Sequence, residues 1–492
     1  REAPRELQTD RQVVLTAVSR DGAVLRCADP TFREDYEVVL TAVQRCGSML
    51  QFAHPGLKSD RRLVLAAVCQ DGFNLRDVPE VFQADAEVVL AAVRQNGRAL
   101  AYASWQLRAD RRVVIAAVNN HKPAIEHADP KLQHDSEVLF FSAAGAEDWQ
   151  ELARREAMHL SSSELSVLPD RLGALTRLQT LDLSHNNLVT LPDSLTKLGA
   201  LQNLRLQGNR LAVLPSALGE LTDLRELSVH LNRLSALPIS CGRLAKLQQL
   251  SMGSNKYTTL PSCVAKMSTL EVLDLGPKCP GDHPLSRFAE MIASYVCDVC
   301  GAMGQVCGEM WGCRRCDFDA CERCCHRQRL SRVHGSLGQL ACLRVLRAVH
   351  HGLTSLPEAI GRLAALEDLS LCHNQLAALP DSIVQLAALR RLRLAGNRLA
   401  ALPEAFGQLG ALQELDLGLN LLERLPESFG QLGTLQQLNL RANLLHALPE
   451  RFGCLWALRE LDLDGNLIES LPASFARLPL LPSHWSYENK VR

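Results

Sequence analysis

Leucine returns every 23 residues along most of this chain. It stands at Leu178, Leu201, Leu224, Leu247 and Leu270, and again at Leu343, Leu366, Leu389, Leu412, Leu435 and Leu458. So regular a spacing leaves little choice of fold. One unit of this length cannot bury its own apolar face, so it becomes stable only when its copies cover one another. The unit that opens at Leu412 continues through Leu415, Leu417 and Asn420 to Leu425-Pro426. The Leu-x-x-Leu-x-Leu stretch reads as a short strand with its leucines turned inward. The Asn turns the chain and is placed to bond the backbone of neighbouring coils. Asn186, Asn209, Asn232, Asn255, Asn374, Asn397, Asn420, Asn443 and Asn466 hold that place. The strands are expected to line one long parallel sheet on a concave face. Residues 155–169, which end on Leu168-Pro169, keep the frame with a degraded strand and are expected to cap its start.

A second period, of 25, occupies the N-terminal part. Asp10, Asp35, Asp60, Asp85, Asp110 and Asp135 mark it, each followed by an aliphatic block such as Val38-Val39-Leu40 or Val88-Val89-Leu90. Asp is a good N-cap, because its carboxylate accepts the free N–H groups of a first helical turn. Apolar residues at i, i+1, i+4 and i+5 make one buried face. Gly22, Gly47, Gly72 and Gly97 close the segment and are expected to end the helix in the left-handed conformation. A second short helix then carries Leu25 and Ala28, Leu50 and Ala53, or Leu100 and Ala103. Capping explains both the residue and the position of each Asp, so a row of functional carboxylates is not needed.

Two resemblances follow from these motifs. The 23-residue units, with Leu-Pro and then Gly-x-Leu, resemble leucine-rich repeat proteins, in particular the intracellular subclass related to Ras-pathway scaffolds. The 25-residue units, as in Leu107 to Val118, resemble an uncharacterised repeat family known only as a domain of unknown function, which implies no activity. The expected fold class is an α+β repeat solenoid: an all-helical array over 1–147, then a leucine-rich repeat horseshoe over 148–276 and 336–492, interrupted by a module over 277–335.

That module is announced by spacing. Leu270 and Leu343 lie 73 residues apart instead of 23, and Lys278 and His351 replace the ladder Asn on either side. Of 17 cysteines, eight fall between Cys297 and Cys325. Three pairs, Cys297-x-x-Cys300, Cys313-x-x-Cys316 and Cys321-x-x-Cys324, have the geometry of zinc knuckles, in which one tight turn aims two sulfurs at a single ion. Three pairs exceed the needs of one Zn²⁺, so two ions are expected. His283, Cys307, Cys325, His326 and His334 are candidates for the remaining ligands. The stretch from Trp311 to Cys324 resembles cross-braced fingers of the ZZ type, and equally the divergent plant form of the diacylglycerol-type finger. Both resemblances imply that Cys297, Cys300, Cys321 and Cys324 share one zinc while Cys313 and Cys316 hold the other, completed by histidines such as His283 or His334. The ZZ resemblance also implies that Asp317 and Asp319 meet positively charged peptide termini.

The remaining function follows from what the residues offer and lack. Formal net charge is −1, which supplies no basic field for nucleic acid. No apolar run reaches the roughly 18 residues of a membrane span. No N-terminal apolar signal stands out, so the cytoplasm, or the nucleus, is expected. The chain shows no phosphate-cradling Gly loop, nucleophile elbow or His-Glu-x-x-His, so no enzyme activity is expected. The expected partner is a protein, met on the concave face by Arg205, Glu226, Arg391, Arg393, Glu414, Asp416 and Asp462, whose charge changes sign along the arc. The expectation is a signalling scaffold. The alternatives are a reader of peptide N-termini and a ubiquitin-pathway subunit.

Overall fold

The computed structural model describes residues 8–276, 286–287, 310–313, 318–321, 333–479 and 485–486. The chain divides into two compact units, Arg1–Arg154 and Arg155–Arg492.

In the first unit each period holds one ten-residue helix, a shorter 3₁₀ turn and a further four-residue helical turn, such as Pro55–Lys58 or Trp105–Arg108. The long helices are α1 (Arg11–Arg20), α2 (Tyr36–Arg45), α3 (Arg61–Gln70), α4 (Ala86–Gln95) and α5 (Arg111–Asn120), followed by the nine-residue α6 (Ser136–Ala144). The Asp before each helix accepts the second and third backbone N–H groups, as at Asp60 with Arg62 and Leu63 (2.9 and 3.1 Å). Val38, Val39, Ala42 and Val43 are fully buried, and so are their counterparts in α3 and α4, which is the i, i+1, i+4, i+5 face. Leu25, Leu50 and Leu100 on the 3₁₀ turns complete the core. An aromatic cluster closes the C-terminal end: Trp149 stacks on Phe140 at 5.8 Å and meets Phe141 edge-on at 5.1 Å.

The glycines do something other than expected. Helices α1 to α4 end on an extended residue (Asp21, Cys46, Asp71, Asn96), and Gly22, Gly47, Gly72 and Gly97 do not have positive φ. They serve close approach. A Cβ on Gly22 would sit 2.5 Å from the carbonyl oxygen of Ala42, and one on Gly47 2.6 Å from that of Ala67. The next helix presses its last carbonyls against a surface that only glycine keeps flat.

In the second unit, twelve three-residue strands and the two-residue Trp485–Ser486 form one parallel sheet of 13 members. It begins with Ala157–His159 paired to Thr180–Asp182, inside the weak first coil, whose Leu160, Leu165 and Leu168 are buried. Thereafter the register advances by 23 residues per strand, as in Leu392 against Leu415, except across the insertion and at the last pair, where Leu461 faces Trp485. Each fully buried leucine contributes about 2 kcal/mol relative to exposure. Along the 3₁₀ turns a spine of phenylalanines, Phe406, Phe429, Phe452 and Phe475, stacks at 6.0–6.2 Å.

The ladder asparagines bind coil to coil. Asn420 donates to Leu394 O (3.1 Å) in the preceding coil and to Leu417 O (2.9 Å) in its own, while its Oδ1 accepts Leu399 N (3.1 Å). The residue just before each ladder position turns left-handed: Gly208, Gly396 and Gly465 in three coils, but His185, Leu231, Ser254, His350, His373, Leu419 and Ala442 elsewhere. Side chains other than glycine accept that strained conformation because the ladder over-determines it.

The insertion leaves the sheet intact. Val272–Asp274 and Val345–Arg347 pair directly, Leu273 opposite Leu346, across 73 residues of chain. His351 keeps the ladder bond, with Nε2 3.0 Å from Leu275 O. That is the 26-residue step of Asn374 to Ala348 O, once the 50 extra residues are set aside. Of the insert itself, Ser286–Arg287, Met310–Cys313 and Phe318–Cys321 form a small antiparallel sheet.

Candidate functional site

Side chains at the first and third strand positions point out of the sheet's open face, the one expected to be concave, because strand residues alternate and the leucine between them points in. Where these outward residues are charged, the register decides what they meet.

Beside the insertion they meet one another. Arg347 lies 3.7 Å from Asp274 on the preceding strand and 3.7 Å from Asp368 on the following one. Asp368 is 1% exposed and also takes Arg391 at 3.2 Å and Arg393 at 3.3 Å. Arg393 continues to Glu414 at 2.9 Å. The result is an ion ladder across five consecutive strands, in which two nearly buried carboxylates are matched by guanidinium groups. A buried carboxylate needs such neutralisation. Arg391 and Arg393, expected as a basic surface, therefore serve the sheet first. Nearer the N-terminus, Arg205 grips Glu226 with two bonds of 3.0 and 3.2 Å.

The acids further along are held differently. Asp416 Oδ1 accepts Gly418 N (3.1 Å), and Asp462 Oδ1 accepts Asp464 N (3.0 Å), so each shapes the turn that leaves its strand. Burial pushes the Asp416 carboxyl above its ordinary range, with nearby Asp462 acting in the same direction, against the pull of Gly418 N–H and Arg393. These two carboxylates lie beyond the ladder and remain half-open to solvent.

The metal ligands expected from the sequence are only partly placed. Cys297, Cys300, Cys316, Cys324 and His283, with Cys307, Cys325, His326 and Asp317, lie outside the described residues. Cys313, Cys321 and Asp319 are described as backbone only, on the hairpin, where Cys313 pairs with Phe318 and Met310 with Cys321. His334 begins the coil that resumes after the insertion. Its Nδ1 accepts Ser336 N at 3.1 Å, so it caps that 3₁₀ turn. Among the described residues no three His, Cys, Asp or Glu side chains gather as a metal site. No helix among them is long and apolar enough to cross a membrane.

The residues expected to meet a partner on this face do not include Asp274, Arg347 and Asp368, which complete the ladder with Arg391 and Arg393. Their alternating sign at equivalent positions of adjacent coils was the available signal. His351 was read as a lost Asn, although imidazole N–H can make the same bond.

Comparison with known proteins agrees with both repeat types. Residues 149–233 and 313–418 match a model described as a leucine-rich repeat region, and 402–445 and 457–478 match two further leucine-rich repeat models. Residues 10–58 and 60–108 match a domain of unknown function. Each of those matches spans two 25-residue periods. No curated protein matches the chain. Among solved structures, a leucine-rich repeat protein of Leptospira interrogans is 24% identical over 74% of this chain and 98% of its own, with a TM-score of 0.44. The functional domain of internalin J from Listeria monocytogenes is 18% identical over 68% of this chain and 59% of its own, at 0.49. The ectodomain of the plant receptor kinase GASSHO1/SCHENGEN3 from Arabidopsis thaliana is 24% identical over 67% of this chain and 41% of its own, at 0.43.

Proposed function

We propose that this leucine-rich repeat chain, with its N-terminal repeats of unknown function, is a non-catalytic scaffold that binds a protein partner on the concave sheet, in an intracellular signalling setting. What carries the reading is the uninterrupted register of that sheet across the insertion. It lines up polar, half-open side chains from Thr180 to Asp462 on a backbone fixed by the asparagine ladder, and a fixed surface loses little entropy on binding. The ion ladder neutralises the middle of the arc, which leaves Asp416 and Asp462 as the charges best placed to meet a partner. Complementary charge there would govern association rate and specificity.

The test is capture of a partner on the intact chain, followed by reconstitution from purified components. Asp462→Arg with Asp464→Arg is expected to slow association by about tenfold and to remove its salt dependence. An unchanged rate overturns the concave-face reading. Arg391 and Arg393 are poor probes, since removing either uncovers Asp368.

The inserted module is proposed to hold two zinc ions on Cys297, Cys300, Cys313, Cys316, Cys321 and Cys324, with His283 or His334 completing the second site. The hairpin register supports it: Cys313 and Cys321 stand opposite Phe318 and Met310, about three residues or ~10 Å apart along the pair. That separation suits two sites better than one. Zinc would tie the loops of a small insert that has little core of its own. Elemental analysis is expected to give about two zincs per chain, with one lost in Cys313→Ser. A metal-free wild-type chain would end this reading, and with it the one in which Asp317 and Asp319 bind peptide termini.

A further inference from the structure

The position after the ladder asparagine changes character at one end of the solenoid. Earlier coils place Arg210, Arg233, Lys256, Gln375 or Arg398 there; the last three place Leu421, Leu444 and Leu467. The backbone amides of these leucines bond Leu399, Leu422 and Leu445 carbonyls at 2.9–3.0 Å, so all three stand in register on consecutive coils. Leu419 lies two residues before the first. The four are between 39% and 52% exposed. Singly exposed leucines are ordinary; a contiguous row is not.

The coils that carry the row are acidic in composition. Residues 399–478 hold ten Asp and Glu against five Arg, whereas 333–398 hold four against seven. Asp416 and Asp462 end strands of these coils.

We infer that the leucine stripe and the acidic strands next to it dock a basic amphipathic segment of the partner protein. Its apolar face would cover Leu421, Leu444 and Leu467, and its Lys or Arg side chains would meet Asp416 and Asp462. This deepens the scaffold reading and rests on it. Charge selects this occupant over others. A second copy paired about a two-fold axis would set acid against acid. An anionic lipid surface would be repelled.

The experiment titrates the full chain with a synthetic 18-residue Leu/Lys amphipathic peptide by calorimetry. Leu421→Gln, Leu444→Gln and Leu467→Gln are combined in one variant; Gln375 already occupies the equivalent place, so the coil accepts that side chain. Its melting temperature is measured alongside. The triple variant is expected to bind at least about tenfold more weakly. Asp416→Asn with Asp462→Asn is expected to weaken binding severalfold and flatten its salt dependence. Failure of the wild-type chain to bind, or equal affinity in the triple variant, overturns the inference. So does a triple variant that turns a dimer into a monomer by light scattering, or one that abolishes binding to phosphatidylcholine/phosphatidylserine vesicles. Weakening by the Asp pair alone removes the stripe while leaving the concave-face reading in place.

Discussion

In the helical unit the ion pairs that join neighbouring repeats lie on the surface, whereas in the leucine coils the joining amide side chains lie inside. Arg11 reaches Asp35 (2.6 Å) and Glu37 (2.6 Å), Arg61 reaches Asp85 (3.1 Å) and Glu87, and Arg111 reaches Asp135 (2.6 Å) and Glu137 (2.9 Å). All these side chains are accessible to water. Only alternate repeats supply the Arg, so the working unit is a pair of periods. The coils instead join through Asn side chains 1–7% exposed. Exposed ion pairs contribute little and are screened by salt, while a buried amide that loses its partners strands several backbone groups. The difference teaches where each unit stores its repeat-to-repeat specificity: in close helix contact at glycines, where the next repeat can also bond the N–H, as Gln95 does at Gly72 (2.6 Å), in the first, and in a buried amide ladder in the second.

Asn420→Ala should break this contrast most severely if it is wrong. It leaves Leu394 O and Leu399 N buried without the side chain that served them, and is expected to destabilise the leucine unit by about 3 kcal/mol or more. Denaturant unfolding measures the loss. Next comes Gly47→Ala, whose Cβ would meet Ala67 O at 2.6 Å. It is expected to cost the helical unit about 2 kcal/mol by overpacking, against less than about 0.5 for the open Gly199→Ala. Equal effects would mean that the helices do not pack through glycine. Ala442→Gly sharpens the contrast with a gain: at φ 54° glycine relieves a left-handed residue and should stabilise the coils by about 0.5–1 kcal/mol.

The smallest effect is a difference of slope with pH. The Arg61 bond holds the Asp85 carboxyl below its ordinary range. Its stabilisation is therefore complete above the unfolded carboxylate value and fades as pH falls through the lower folded one. Asp416 runs the other way. Burial raises it, so the folded state binds the extra proton and stability declines as pH climbs from the ordinary carboxylate value through the raised one. Carboxyl titration by NMR should show Arg61→Gln returning Asp85 upward without moving Asp416.

Much of this architecture could be read from the chain because period and chemistry coincide. Asp at a fixed step is a cap, Asn at a fixed step is a ladder, and both are bonded as such. The reading failed where meaning depended on the neighbouring coil. Gly22 and Gly47 looked like helix stops, since a linear pattern does not show the carbonyl pressed against them. Arg391 and Arg393 looked like a free basic patch because their partner Asp368 lies about one turn of the solenoid away.

A single binding surface requires one sheet running unbroken past the insertion. Hydrogen exchange followed by mass spectrometry on residues 270–276 and 343–349 addresses it most directly, since Leu275 N bonds Arg347 O at 2.8 Å and Val345 N bonds Glu271 O at 2.9 Å. These amides are predicted to exchange as slowly as those of 366–372, deep in the solenoid. Fast exchange there, at the rate of a frayed sheet edge, would mean two separate half-solenoids and would contradict the single concave surface.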